Sequence, residues 1–180
     1  SQHTVYRDPA HYCGPGPTVV CDADTGRLTV AFRRVRSWLA EGLSGHWHPA
    51  TELCLTQSDD AGVSWSPVRV VAAGGQCPNL RRLRDGTWLL HTHRFELVND
   101  DILQRVRSRL PQDATGAREG NWPALHAGTA VWRSTDDGRS WTEPAWLPSA
   151  PGATRLHPDL APTVAVRGNV LETASGGVLV

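Results

Sequence analysis

Ser58-Asp59-Asp60-Ala61-Gly62-Val63-Ser64-Trp65 and Ser134-Thr135-Asp136-Asp137-Gly138-Arg139-Ser140-Trp141 are two copies of one pattern, Ser-x-Asp-x-Gly-x-Ser-Trp. Each follows an alternating segment, Glu52 to Gln57 in the first case and Thr129 to Arg133 in the second. Such a segment running into Ser, Asp and Gly describes a strand entering a tight turn. The Ser and Asp side chains can accept backbone N–H groups there, and Gly can take φ > 0. The indole that follows can fold back over the turn as an apolar anchor with one N–H to place. The octets therefore predict two hairpins of the same construction.

Working outward from the octets, the flanking segments read as strands. Thr18 to Cys21, Leu28 to Phe32, Glu52 to Gln57 and Val68 to Ala72 make a first set of four, with a turn at Asp22 to Gly26. Leu80 to Leu83, Trp88 to His93, Thr129 to Arg133 and the residues around Trp146 make a second set, with a turn at Asp85-Gly86. Thr163 to Val166, Leu171 to Gly177 and Val178-Leu179-Val180 begin a third. Asn99-Asp100-Asp101 can cap a helix whose face carries Ile102, Leu103, Val106 and Leu110 and which Pro111 ends. Arg105, Arg107 and Arg109 then form its solvated side. Four-stranded units repeating along a chain, each with a turn motif in the same place, are the signature of a β-propeller. The expectation is an all-β chain of antiparallel four-stranded units over residues 10–75, 76–150 and 151–180, with a helical insertion at 99–110.

Composition narrows the partners. The 180 residues carry 18 basic and 18 acidic side chains, so neither nucleic acid nor a charged membrane surface is indicated. Every basic residue is Arg, which excludes a lysine nucleophile or Schiff base. No stretch approaches the ~20 apolar residues of a membrane span. No signal peptide is visible. Cys13, Cys21, Cys54 and Cys77 match no metal-finger spacing. They read either as free buried thiols or as disulfides, and a secreted or periplasmic setting is expected over a cytoplasmic one.

Both octets resemble the Asp-box, the repeat of sialidases and related β-propellers; the family pattern prefers Thr where Ser64 and Ser140 stand. The resemblance implies six blades, of which this chain holds two and the opening of a third. The remaining blades would come from further sequence or another chain. It also implies that the Asp-box residues, Ser58, Asp60, Gly62 and Trp65 with Ser134, Asp136, Gly138 and Trp141, are structural. In an antiparallel four-stranded unit, alternate turns share a face. The octets and the short turns then occupy one end, and the long connections, about 33–51 and 95–128, occupy the other. Long loops on a rigid scaffold are where binding sites form.

Two further segments carry the resemblance. Tyr6-Arg7-Asp8-Pro9 is similar to the Phe/Tyr-Arg-Ile-Pro signature that opens sialidase domains. There the Arg belongs to a three-arginine cluster, whose planar forks suit a substrate carboxylate. Asp8 departs from the pattern, and its carboxylate is placed to pair with Arg7. Val30-Ala31-Phe32-Arg33-Arg34-Val35-Arg36 resembles Leu-Ala-Phe-x-x-x-Arg, which implies Arg36 at the pocket mouth. Thr51-Glu52-Leu53 matches the family's Ala-Glu-Leu. The catalytic Asp that precedes it there falls near His48, and no Asp stands between Asp24 and Asp59.

His48 and Glu52 are thus the candidate proton-transfer residues, with an ion pair to a neighbouring Arg as the alternative role for Glu52. Asn79, His93 and Arg94, near the long-loop end of the second unit, complete the candidate substrate contacts with Arg7 and Arg36. The His-x-His pairs His46/His48 and His91/His93 lack a carboxylate at ligand spacing, so no metal or other cofactor is expected. The family's nucleophilic Tyr–Glu pair and two further arginines are expected outside these residues. The implied activity is a sialidase-like glycoside hydrolase, exo-acting on a terminal acidic sugar. A non-catalytic propeller that binds glycan or protein through its loop face is the alternative.

Overall fold

The computed structural model describes residues 3–37, 50–99, 101, 104, 124–149, 165–166 and 168–179. These form antiparallel sheets. The first contains β1 (His11–Cys13), β2 (Thr18–Cys21), β3 (Leu28–Arg36), β4 (Glu52–Ser58) and β5 (Arg69–Ala73). β1 and β2 both pair with β3, β1 at its Arg34–Arg36 end and β2 along Leu28–Ala31, so together they act as one interrupted edge. The second sheet is β6 (Gly75–Arg82), β7 (Trp88–Leu97), β8 (Ala124–Ser134) and β9 (Ala145–Trp146), in that order. β10 (Leu171–Glu172) and β11 (Val178–Leu179) form a hairpin. The architecture is all-β and antiparallel, and no closed ring of sheets is present among the described residues.

Several boundaries differ from the expected ones. β3 runs on to Arg36, β7 runs on to Leu97 and β8 begins at Ala124, so the two long connections are shorter than expected. β1 was not anticipated, because three residues offer too little alternation to read. β6 starts at Gly75 and passes through Pro78. Pro donates no ladder hydrogen bond, and the register slips between Gln76 and Asn79, with Cys77 at φ 46°. Leu171 to Gly177, expected as strand throughout, is strand only at Leu171–Glu172 and then turns back, with Thr173 N donating to Gly177 O at 2.8 Å. That turn has the bonding of Leu83–Thr87, where Leu83 N donates to Thr87 O at 2.8 Å. Apart from Asn99, Asp101 and Gln104, the expected helix lies outside the described residues, as do Thr163 and Val164 of the strand expected at Thr163 to Val166.

Alternation along the strands decides the packing. Ala31, Leu53 and Leu55 from the first sheet meet Leu80, Trp88, Leu90, Ala130 and Trp132 from the second, which makes the main core. The opposite face of the first sheet carries a separate cluster of Val30, Phe32 and Cys54, covered by Val5, Tyr6, Trp65 and Val68. Polar clasps join the two sheets. Leu80 N donates to Thr18 Oγ1 at 3.1 Å, and Arg82 Nη1 lies 3.0 Å from Asp22 Oδ2.

The two octets fold alike, bond for bond. In the first, Ser58 Oγ donates to Asp60 Oδ1 at 2.8 Å and accepts from Gly62 N at 2.8 Å. Asp60 also accepts from Ser64 N at 2.8 Å and from Ser64 Oγ at 2.6 Å. Trp65 Nε1 donates to Gly62 O at 3.1 Å. The corresponding distances in the second octet are 2.7, 2.9, 2.9, 2.6 and 3.0 Å. Gly62 and Gly138 sit at φ 88° and 74°, in the left-handed region where a Cβ is penalised. The Ser hydroxyls, followed by backbone N–H groups, hold the Asp60 carboxyl down at about 2 and push Asp136 well below its ordinary range. Leu28 pairs with Ser58 and Trp88 with Ser134, so the octets share one end with the short turns before β3 and β7.

Candidate site at the long-loop end

At the other end of the first sheet, the last residues of β3 face the start of β4, with Arg34 opposite Glu52. Arg34 Nε donates to Glu52 Oε2 at 2.7 Å, and Arg34 Nη1 donates to the Tyr6 hydroxyl at 2.7 Å. Burial works against the Arg34 charge, but these two bonds more than offset it and hold the guanidinium above its usual range. Tyr6 rests on Phe32 with ring centroids 5.1 Å apart, and its hydroxyl donates to Asp8 Oδ2 at 3.1 Å. Asp8 also accepts from Ala10 N at 2.9 Å and lies 2.8 Å from His11 Nδ1. The Ala10 amide first, then His11, brings the Asp8 carboxyl down to about 2.

This network reassigns two expectations. Asp8 engages Tyr6 and His11 rather than Arg7. Glu52 takes the ion-pair role, with Arg34 as its partner. The Arg7 and Arg36 side chains are exposed and make no hydrogen bond or ion pair among the described residues. Arg36 lies on β3 two residues beyond Arg34, hence on the same face, and pairs across the sheet with His11. Two uncommitted guanidinium groups at one end of a rigid sheet can take a carboxylate by paired hydrogen bonds. His48 lies outside the described residues.

The remaining candidates are placed differently. His93 is 1% exposed and packs against Phe95 and His126, with centroids 5.9 and 5.8 Å away. It pairs with Thr129, whose Oγ1 accepts from Val166 N at 3.0 Å, so this face of the second sheet looks toward Val166. His91 is on the same face, and burial pushes its ring toward the neutral form against the opposing effect of the Gly168 backbone. Asn79, opposite His91, is buried. Glu52 lies on the face of the first sheet that looks away from the second, so it and His93 are not brought together. Arg94 turns to the sheet perimeter, its guanidinium 5.4 Å from the Trp146 ring centroid.

Sequence reasoning passed over Arg33 and Arg34. Arg33 is 2% exposed between the sheets, where its Nη1 donates to Gln76 Oε1. Gln76 Nε2 donates in turn to Thr51 Oγ1 at 3.5 Å. Burial lowers the Arg33 pKa. The signal was present: Ala31, Arg33 and Val35 fall on one side of β3 by period-two alternation, and Phe32, Arg34 and Arg36 on the other. The four cysteines are free.

No protein-family model matches the chain, and neither does any curated protein. Among solved structures, a protein of unknown function from Dyadobacter fermentans is similar over 98% of this chain, with a TM-score of 0.76 and 24% identity. An N-acetylgalactosamine deacetylase from F. plautii, solved with blood group B trisaccharide, aligns over 78% of this chain and 37% of its own, with a TM-score of 0.44 and 12% identity. A Hadza microbial sialidase aligns over 76% and 25%, with a TM-score of 0.41 and 19% identity. The last two likenesses are too loose to carry an argument. The first establishes a shared fold, of which this chain spans 48% of the partner's length.

Proposed function

We propose that this chain is part of a six-bladed, sialidase-like propeller whose long-loop end takes up a terminal acidic sugar and hydrolyses its glycosidic bond. The observation that carries the reading is the polarity of the sheets. Both Asp-box turns and the short turns gather at one end with their carboxylates fully engaged, while Arg7 and Arg36 stand exposed and uncommitted at the other. The carboxylate of an acidic sugar is the natural complement of two such groups. Proton transfer falls to His48, the residue at the family's acid position. Glu52, engaged by Arg34, instead fixes the arginine and with it the start of β4.

That engagement of Glu52 also favours a second reading, a non-catalytic propeller that binds glycan at the same end. Turnover separates the two. The full-length protein is assayed against fluorogenic N-acetylneuraminide and uronide substrates, with His48→Ala alongside. Hydrolysis that His48→Ala lowers in kcat more than in KM supports the enzyme. Saturable binding of the same sugars with no turnover leaves the binding module. Absence of both sinks the loop-end site.

A further inference from the structure

Arg7 stands between two residues that are both tied down. On one side, the Tyr6 hydroxyl accepts from Arg34 Nη1 at 2.7 Å while its ring rests on Phe32. On the other, the Asp8 carboxylate takes three donors. Ala10 N reaches Oδ1 at 2.9 Å, and the Tyr6 hydroxyl and His11 Nδ1 reach Oδ2 at 3.1 and 2.8 Å. Facing an ionised carboxylate, His11 Nδ1 carries the proton and donates. The backbone continues the clamp: His11 N donates to Asp8 O at 3.0 Å, Ser37 N to Ala10 O at 3.0 Å, and Ser37 Oγ to Pro9 O at 2.8 Å. Residues 6–11 are thereby bound to β3, and within Tyr6-Arg7-Asp8 only the Arg7 side chain is exposed and uncommitted.

We propose that Asp8 is a positioning residue for a carboxylate ligand: it holds Arg7 at the end of β3 that carries Arg36, so that the two guanidinium groups act together. The proposal rests on the reading of the long-loop end as the site of an acidic sugar. An Asp beside a ligand-binding Arg ordinarily competes with the ligand's carboxylate. Here the Asp8 oxygens are turned to Ala10, Tyr6 and His11, which leaves the Arg7 charge for the ligand. The same network reaches the second arginine, because His11 pairs with Arg36 across the sheet and Glu52 holds the Arg34 that holds Tyr6. A guanidinium on an anchored backbone loses less freedom on binding than one on a loose segment, which raises affinity without a new contact. The role needs a carboxylate. Asn keeps one acceptor oxygen for Ala10 N but puts an NH2 donor where Oδ2 receives Tyr6 and His11.

The test is a double-mutant cycle, read by calorimetric titration of N-acetylneuraminic acid into the full-length protein. Arg7→Ala, Asp8→Asn and the two combined are compared with the wild type. Asp8→Asn is expected to weaken binding roughly three- to tenfold, and to have no further effect once Arg7 is replaced. Tyr6→Phe keeps the ring on Phe32 and removes only its hydroxyl. It is expected to give a smaller loss, again absent beside Arg7→Ala. A merely structural role for Asp8 would weaken binding by the same factor with or without Arg7, and that result overturns the proposal. Unchanged affinity in Asp8→Asn overturns it as well. If the wild type binds no N-acetylneuraminic acid, the loop-end reading falls and the proposal with it. If Arg7→Ala weakens binding but Asp8→Asn is additive with it, the loop-end reading stands and only the role of Asp8 is lost.

Discussion

Asp60 and Asp136 are the residues on which the two turns depend, and their chemistry is visible in acid. Asp60 titrates at about 2 when folded, against an ordinary 3.8, because Ser64 and Ser58 hydroxyls and the Ser64 amide bond its ionised form. A depressed folded pKa stabilises the protein above the unfolded value, and that stabilisation is lost as pH falls through the folded one. The expected result is a melting temperature that drops between about pH 4 and pH 2, with a shallower drop in Asp60→Asn, measured by thermal circular dichroism. An unchanged pH slope in Asp60→Asn would show that the turn carboxylate is not linked to folding. This role was legible beforehand, because Ser, Asp and Gly at fixed offsets define a local turn that needs no distant partner. The role of Glu52 was not, because its partner Arg34 lies across a sheet pairing that only the register brings about.

Among the elements, β4 and β6 meet where the two sheets close on each other, and the fit there leaves no room. A Cβ added to Gly75, at the start of β6, would stand 2.6 Å from Leu53 Cγ, in a residue with 0% exposure. Gly168, by contrast, has nothing within 4 Å of such an atom. Gly75→Ala is therefore expected to cost about 1–3 kcal/mol through overpacking. Gly168→Ala should be neutral or stabilising by up to about 1 kcal/mol, through a less flexible unfolded chain. Urea denaturation of the pair checks this, and equal midpoints for the two variants would count against the packing described.

The strand cores around Leu28–Phe32 and Trp88–His93 could be read from alternation, whereas their extensions to Arg36 and Leu97 could not. The β3 extension carries Arg33 and Arg34 on opposite faces, which masks the period-two pattern, and the β7 extension crosses a register shift between Arg94 and Phe95. The slip near Pro78 was equally hidden, since a proline in an apolar run reads as a break rather than a bulge.

For the molecule as a whole, what matters most is the polarity of the sheets: turns and octets lie at one end, and the proposed ligand belongs at the other. That polarity was readable from the order of short and long connections, and the pairings of Leu28 with Ser58 and Arg34 with Glu52 show the two ends in the first sheet. The convergence of His93 and Arg94 on the long-loop end was expected from their place on β7. The second sheet instead turns His93 toward Val166 and Arg94 toward Trp146 on β9, because neighbours on a strand face opposite sides.

The most direct test compares one residue from each end in a single binding measurement. Calorimetric titration of N-acetylneuraminic acid is carried out on the full-length protein, on Arg36→Ala and on Asp59→Asn. Asp59 pairs with Arg27 at 2.6 Å on the exposed octet end, and such a surface pair contributes little to stability. A ligand at the long-loop end predicts a loss of roughly ten- to a hundredfold in affinity for Arg36→Ala, the worth of a charged hydrogen bond, and no change for Asp59→Asn. Affinity that survives Arg36→Ala and falls with Asp59→Asn would contradict it.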